Sequence, residues 1–176
     1  MTNLSFRDFL GFADVLREQA ANCENLGRSL PYIIGSILNS WMALESFVNN
    51  MLFDFASLPA SGFTVHERGF LEERQVRFSV SGSDAGTFKL EAAPEYRRLE
   101  DKVLFLTAKF GKNKLDKGTA LWQRFEKIKK KRNVLSHLRR GDDLVLSVAD
   151  CDEAASVTKD LITMLSKEVW KKPVKW

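Results

Sequence analysis

Residues 31–57 read PYIIGSILNSWMALESFVNNMLFDFAS and carry the clearest helical pattern in the chain. Apolar residues recur there every three or four positions, as they do along the buried face of a helix. This apolar stripe consists of Ile34, Leu38, Trp41, Val48, Leu52 and Phe55. Pro31 suits the first turn of a helix, where a missing N–H costs nothing. Polar residues interrupt the run, so the segment predicts a buried helix and not a membrane span.

Four other segments have helical spacing, and a short charged helix fits between them. The long segments are residues 4–26, 95–110, 118–140 and 150–170, and the short one is 64–74. Glycines end three of the long segments, at Gly27, Gly111 and Gly141. Asp150 and Glu153 have the spacing of a capping box, which predicts the start of the last helix.

Between these helices the period changes from about 3.6 to two. Residues 76–80 and 87–90 alternate apolar and polar side chains around a turn rich in glycine and serine. This pattern predicts a small β-hairpin or extended insertion near 76–90. The predicted fold is therefore all-α, an up-and-down bundle of about five helices with this insertion, in a single domain spanning residues 1–176.

Composition limits the chemistry and the location of the chain. A chain of 176 residues with 44% hydrophobic and 28% charged residues is typical of a folded globular domain. Two distant cysteines, Cys23 and Cys151, and two histidines are too few for a zinc site, so we predict no cofactor or metal. The first residues lack the pattern of a signal peptide. We therefore expect a cytoplasmic protein with no membrane partner.

Two charged residues interrupt apolar stripes. Glu45 falls within the stripe of residues 31–57, and Arg132 falls between Ile128 and Leu135 in the helix at 118–140. A lone buried charge is costly unless it is paired, and a carboxylate accepts a guanidinium in bidentate geometry. We therefore predict that Glu45 and Arg132 form an ion pair across the bundle. The alternative is that one or both side chains reach solvent.

The helix at 118–140 concentrates positive charge. It holds eight basic residues and one acid, a local charge of +7 against +4 for the whole chain. Such a field favours a polyanion such as RNA or DNA, although a solvated helix face is the other interpretation. The candidate RNA-binding residues on this helix are Lys129, Lys130, Lys131, Arg139 and Arg140.

Residues 132–137 read Arg-Asn-Val-Leu-Ser-His, or R-N-x-x-x-H. This motif resembles the R-x4-6-H signature of the HEPN superfamily (higher eukaryotes and prokaryotes nucleotide-binding domains). Residues 41–50, WMALESFVNN, are similar to the helix of that family whose acidic residue faces the arginine. One departure is Arg139, because a branch paired with nucleotidyltransferase antitoxins carries a tyrosine there as a modification site.

The resemblance implies a four- to five-helix up-and-down fold and a homodimer in which two motifs form one composite cleft. It also implies metal-independent endoribonuclease activity in the catalytically intact branch. Such proteins are often toxins, with an antitoxin protein as partner, or antiviral defence effectors.

The chemistry of RNA cleavage assigns roles to these residues. RNA supplies its own nucleophile, the 2′-hydroxyl, so cleavage needs a base, an acid and cations around the phosphorus. His137 is the candidate base or acid, and Arg132 is the candidate phosphate clamp. Asn133 lies four residues before His137, on the same helix face, and is the orienting donor. Glu45 completes the candidate catalytic set, and the expected products are a 2′,3′-cyclic phosphate and a 5′-hydroxyl.

Two other functions fit the same residues. One is a non-catalytic HEPN-like module that binds a nucleotide or nucleic acid, or that scaffolds a protein complex. The other is a helical protein whose basic face docks an acidic antitoxin. Both alternatives keep the basic helix, but neither requires Arg132 and His137 to share one cleft.

Overall fold

The computed structural model of the protein describes residues 4–136 and 145–176. These residues form six α-helices and a two-stranded antiparallel hairpin, which confirms the predicted fold class. The helices are α1 Phe6–Ala21, α2 Leu26–Ala56, α3 Val65–Leu71, α4 Leu99–Phe110, α5 Ala120–Ser136 and α6 Val148–Leu165. The strands are β1 Arg74–Phe78 and β2 Phe88–Pro94. None of the described helices combines the length and apolarity needed to cross a bilayer.

Helix α2 begins five residues earlier than the prediction, at Leu26 and not at Pro31. Its N-cap is Asn25, whose side-chain oxygen accepts a hydrogen bond from the Gly27 amide at 2.8 Å. Gly27 therefore lies inside α2, and α1 ends before it, at Ala21. The side-chain cap decided this start, and α2 tolerates Pro31 in its interior at the loss of one backbone hydrogen bond.

The core lies where α2 meets α5 and α6. The ring of Trp41 on α2 stacks on Phe125 of α5, with ring centroids 5.5 Å apart and planes at 9°. The hydroxyl of Thr158 on α6 donates to the backbone oxygen of Ser40 on α2 at 3.0 Å. These contacts fix the side of α2 along which α5 runs, and this decides which residues of the two helices share a surface.

Helix α6 starts three residues before the predicted capping box. Ser147 is its N-cap, and its backbone N–H donates to Oδ2 of Asp150 at 2.9 Å. Asp150 is therefore the third residue of the helix and not its cap, because Ser147 offers the same spacing one turn earlier. The predicted end of the basic helix at Gly141 lies outside the described residues.

The hairpin is paired in the predicted region, with Phe78 opposite Phe88. Its turn contains Gly82 and Gly86, both with positive φ, a backbone conformation that favours glycine. The buried amine of Lys102 on α4 ties the start of the hairpin to the bundle, since it lies 2.9 Å from the Glu73 carboxylate and donates to Asn49 of α2 at 2.8 Å. The Glu73 carboxylate also accepts the backbone N–H of Arg97 at 3.1 Å, so the same anchor holds the segment before α4.

Candidate nucleic-acid cleft

A cavity of about 420 Å³ opens between α2, α5 and the N-terminal end of α4. It brings together three of the four predicted catalytic residues: Glu45, Arg132 and Asn133. We call this cavity the α2–α5 cleft. Its lining residues are Trp41, Glu45, Arg97, Arg98, Leu99, Glu100, Lys129, Arg132 and Asn133.

Arg132 is held in the cleft by an aromatic ring. Its guanidinium carbon lies 5.5 Å from the centroid of Trp41, and its Nη1 donates to Oδ1 of Asn133 at 3.3 Å. Trp41 is only 5% exposed and is itself stacked on Phe125, so it forms a rigid platform. A cation over an indole face is favourable. Within the described residues Arg132 has no carboxylate partner, so its charge is free to meet an anion.

The predicted ion pair between Glu45 and Arg132 is wrong for the described residues, although both side chains line the cleft. Glu45 is half-buried and forms no ion pair or side-chain hydrogen bond with any part of the chain that the structure describes. A helical wheel gives the direction in which a side chain leaves its own helix axis. It does not show which turn of the neighbouring helix that side chain reaches. Arg132 meets α2 at Trp41, one turn before Glu45.

Two of the three lysines predicted to bind RNA are paired within the protein. Lys129 lies 2.8 Å from Glu126 and 3.4 Å from Glu100 of α4, and Lys131 pairs with Asp150 of α6. Burial alone would lower the pKa of Lys129, but the two carboxylates raise it above its ordinary value. Lys130 is exposed and has no ion-pair partner among the described residues. Two of these three lysines therefore form ion pairs within the protein, and only part of the run is available to bind a polyanion.

Arg124, at the start of the same basic run, anchors α5 to α6. Its guanidinium lies 2.8 Å from Glu153 and 2.8 Å from Asp160, and it also donates to the Ser156 hydroxyl at 2.9 Å. The hydrogen bond between Arg124 and Glu153 is the main cause of both pKa shifts: it raises the pKa of Arg124 and lowers the pKa of Glu153. These ion pairs hold α5 against α6, in the orientation that places Arg132 in the cleft.

Two arginines of the cleft were missed by the sequence analysis. Arg97 and Arg98 precede α4, and Arg98 is its N-cap. Arg97 is held by Glu95 at 2.6 Å and lies 5.2 Å from the Phe70 ring, while its buried Nε has no hydrogen-bond partner. Arg98 is exposed and forms no side-chain hydrogen bond or ion pair with the described residues. Their adjacency in sequence was the available signal, but only the packing of α4 places them beside α5.

Three predicted residues, His137, Arg139 and Arg140, lie outside the described residues, and their roles stay predictions. The described end of α5 carries Asn133 and Ser136, and the Ser136 hydroxyl donates to the backbone oxygen of Arg132 at 3.0 Å. His137 is the residue that follows Ser136 in the sequence.

The chemistry that the described cleft offers is recognition of an anion. Its guanidinium groups outnumber the carboxylates that remain unpaired, and a flat guanidinium matches a phosphate through two donors. Across residues 4–136 and 145–176, no group of three or more His, Cys, Asp or Glu side chains is arranged to hold a metal ion. Both cysteines are free thiols.

The chain matches no family model, and no curated protein or solved structure is detectably similar to it. The likeness to the HEPN superfamily therefore rests on the residues of its two motifs alone.

Proposed function

We propose that the protein is a metal-independent endoribonuclease that cleaves single-stranded RNA, as a toxin or a defence effector. The observation that carries this proposal is the placement of Arg132. Its guanidinium lines a cleft without a carboxylate partner among the described residues, and it lies five positions before His137 in an R-N-x-x-x-H motif. A structural arginine in a helical bundle would normally be paired, as Arg124 is.

Each residue of the motif has a step in the proposed reaction. Arg132 binds the non-bridging oxygens of the scissile phosphate and stabilises the charge that develops there. Asn133 orients the guanidinium by accepting its hydrogen bond through Oδ1, so towards Arg132 it is an acceptor and not the donor expected from the sequence. His137 takes the proton of the 2′-hydroxyl or donates one to the leaving 5′-oxygen. Glu45 offers an unpaired acceptor in the same cleft and suits a ribose hydroxyl better than a phosphate.

A homodimer would let two histidines divide the acid and base steps. The proposal of a second copy as partner is supported by apolar side chains of α1 that the monomer leaves exposed. Phe12 and Val15 are 47% and 57% exposed on this helix. Large apolar side chains grouped on one face are typical of a protein interface.

The direct test is cleavage of a single-stranded RNA by the purified protein in EDTA. We expect cutting that leaves a 2′,3′-cyclic phosphate, and we expect Arg132→Ala and His137→Ala each to reduce the rate by at least about a hundredfold. Arg77→Ala is the matched control, because Arg77 is an exposed arginine on β1 away from the cleft. Cutting that survives His137→Ala, or that EDTA abolishes, would contradict the mechanism.

Binding of a nucleotide without cleavage is the second candidate function. The observation that favours it is the internal pairing of Lys129 and Lys131, which leaves less open positive surface for a long polyanion. A cleft of about 420 Å³ also falls in the size range of small-molecule sites. Tight binding of a mononucleotide with no RNA cleavage under any condition would select this function over the nuclease.

A further inference from the structure

The α2–α5 cleft contains two arginines whose charge no described carboxylate neutralises. Of its four basic residues, Lys129 is paired with Glu100 and Glu126, and Arg97 is paired with Glu95. Arg98 and Arg132 remain without a carboxylate partner among the described residues. Among the residues that line the cleft, these four basic side chains stand against two carboxylates, Glu45 and Glu100, so the lining carries a formal charge of +2.

These two arginines stand on different elements. Arg132 extends from α5 and lies against Trp41, whereas Arg98 is the residue immediately before α4. The Arg98 side chain forms no hydrogen bond or ion pair with the described residues, and it does not cap α4. Two guanidiniums on separate walls suit two anionic groups better than one, because each can hold its own phosphate in bidentate geometry.

We infer that Arg98 forms a second phosphate subsite, which binds a phosphodiester next to the one held by Arg132. This inference rests on the proposed function, in which the ligand is a single RNA strand. It adds that the cleft prefers strands with two adjacent charged phosphates. A strand with two consecutive charged phosphates fills both subsites, whereas a strand with one leaves Arg98 without a ligand. Arg97, fixed by Glu95 and Phe70, forms the wall beside this second subsite.

The test uses short strands that cannot be cut. A 2′-O-methyl uridine trimer lacks the attacking hydroxyl and carries two phosphodiesters, and a matched trimer carries one phosphodiester and one uncharged methylphosphonate. Each trimer competes with a fluorescent 2′-O-methyl octamer, read by fluorescence anisotropy at one low salt concentration. The two trimers share all bases and sugars, so their difference reports one phosphate charge.

For the unmodified protein we expect the doubly charged trimer to bind about tenfold tighter, as one charge-assisted bidentate contact would give. Arg98→Gln should reduce this preference to less than about twofold, while Arg77→Gln, the matched exposed arginine, should leave it intact. Arg132→Gln should weaken both trimers, because it removes the first subsite.

Failure of this inference and failure of the proposed function give different results. If Arg98→Gln keeps the tenfold preference, or the unmodified protein shows none, the second subsite does not exist, whether or not RNA is cut. If the preference depends on Arg98 but the protein cleaves no RNA, the subsite stands and the nuclease proposal fails. If neither trimer displaces the octamer, the second subsite is overturned, and the cleavage assay alone then decides the nuclease proposal.

Discussion

Arg132 owes its position to an aromatic face and not to an opposite charge. Its guanidinium lies over Trp41, and its charge has no carboxylate partner in the described chain. The planar group can therefore serve two purposes, with one face against the indole and its edge towards a phosphate. A lysine at this position would keep the charge but would lose both the flat face and the fork of donors.

We therefore expect Arg132→Lys to separate binding from catalysis. Affinity for an uncuttable RNA should fall only a few-fold, because the charge remains, whereas the single-turnover cleavage rate should fall at least about tenfold, because an ammonium cannot clamp two phosphate oxygens. Anisotropy and quenched-flow cleavage measure the two quantities. A variant that cuts at the rate of the unmodified protein would mean that charge alone matters at this position.

Residue patterns in the sequence placed Glu45, Arg132 and Asn133 in one cleft, but they did not reveal its chemistry. The apolar stripes told which faces of α2 and α5 meet, and this was sufficient to bring the three together. The predicted ion pair was wrong because the relative positions of α2 and α5 along their axes depend on packing at Trp41 and Phe125. The position of Arg98 in this cleft depends on α4, whose contact with α5 through Glu100 and Lys129 cannot be read from the local sequence.

At the scale of elements, α3 and β1 approach each other closely at Gly69. A Cβ added there would lie 2.5 Å from Cγ2 of Val76 and 3.0 Å from the backbone oxygen of Arg74. Since part of this contact is backbone, the hairpin would have to move away from α3. The glycine is thus required by contact between two elements and not by its backbone conformation.

We expect Gly69→Ala to lower the free energy of unfolding by about 1–3 kcal/mol, as overpacking does. Gly11→Ala is the matched control, because a Cβ at Gly11 in α1 meets nothing within 4 Å. There alanine should stabilise the helix by about 0.5–1 kcal/mol. Urea unfolding followed by circular dichroism measures both, and equal effects of the two substitutions would refute the close approach.

The link between α5 and α6 through Arg124 should depend on pH. Arg124 holds the pKa of Glu153 below its ordinary value, which is about 4.3 for an unfolded chain. The pairing therefore contributes its full stability above that value and loses it as the pH falls through the lower pKa of the folded state. Both side chains are partly exposed, so solvent screens their interaction.

Accordingly, Arg124→Met should lower the free energy of unfolding by about 1 kcal/mol at pH 7, and this difference should shrink below about pH 4. Urea unfolding at pH 7, 5 and 3.5 tests the trend. Lys130→Met, which removes an unpaired exposed cation from the same helix, should change little at any of these values. A loss that stays constant down to pH 3.5 would show that the arginine stem stabilises by packing alone.

Element boundaries show where local sequence rules compete. Pro31 predicted the start of α2, but the side-chain cap of Asn25, six residues upstream of Pro31, sets it. Two capping-box spacings overlapped before α6, and the earlier one at Ser147 was used. Helix and hairpin types followed from periodicity, whereas their first residues depended on which cap the tertiary packing accepts.

At the scale of the whole molecule, the proposed dimer makes a direct prediction. A chain of 20.0 kDa should sediment as a species of about 40 kDa, and Phe12→Asp should convert it to the monomer and abolish RNA cleavage. Phe78→Asp is the control, because Phe78 on the hairpin is 46% exposed against 47% for Phe12. Analytical ultracentrifugation measures both variants. A monomeric protein that cuts RNA would exclude the composite cleft.

The internal pairing of the basic helix has a consequence for measurements in solution. Arg124, Lys129 and Lys131, half of the six basic residues in the described part of α5, bind carboxylates of the protein itself. Dissolved ions compete for those contacts as well as for any bound strand. Raising the ionic strength would then weaken the ion pairs that hold α5 in place at the same time as it displaces a bound strand. The slope of binding affinity against salt concentration would therefore overstate the number of phosphates that the cleft contacts.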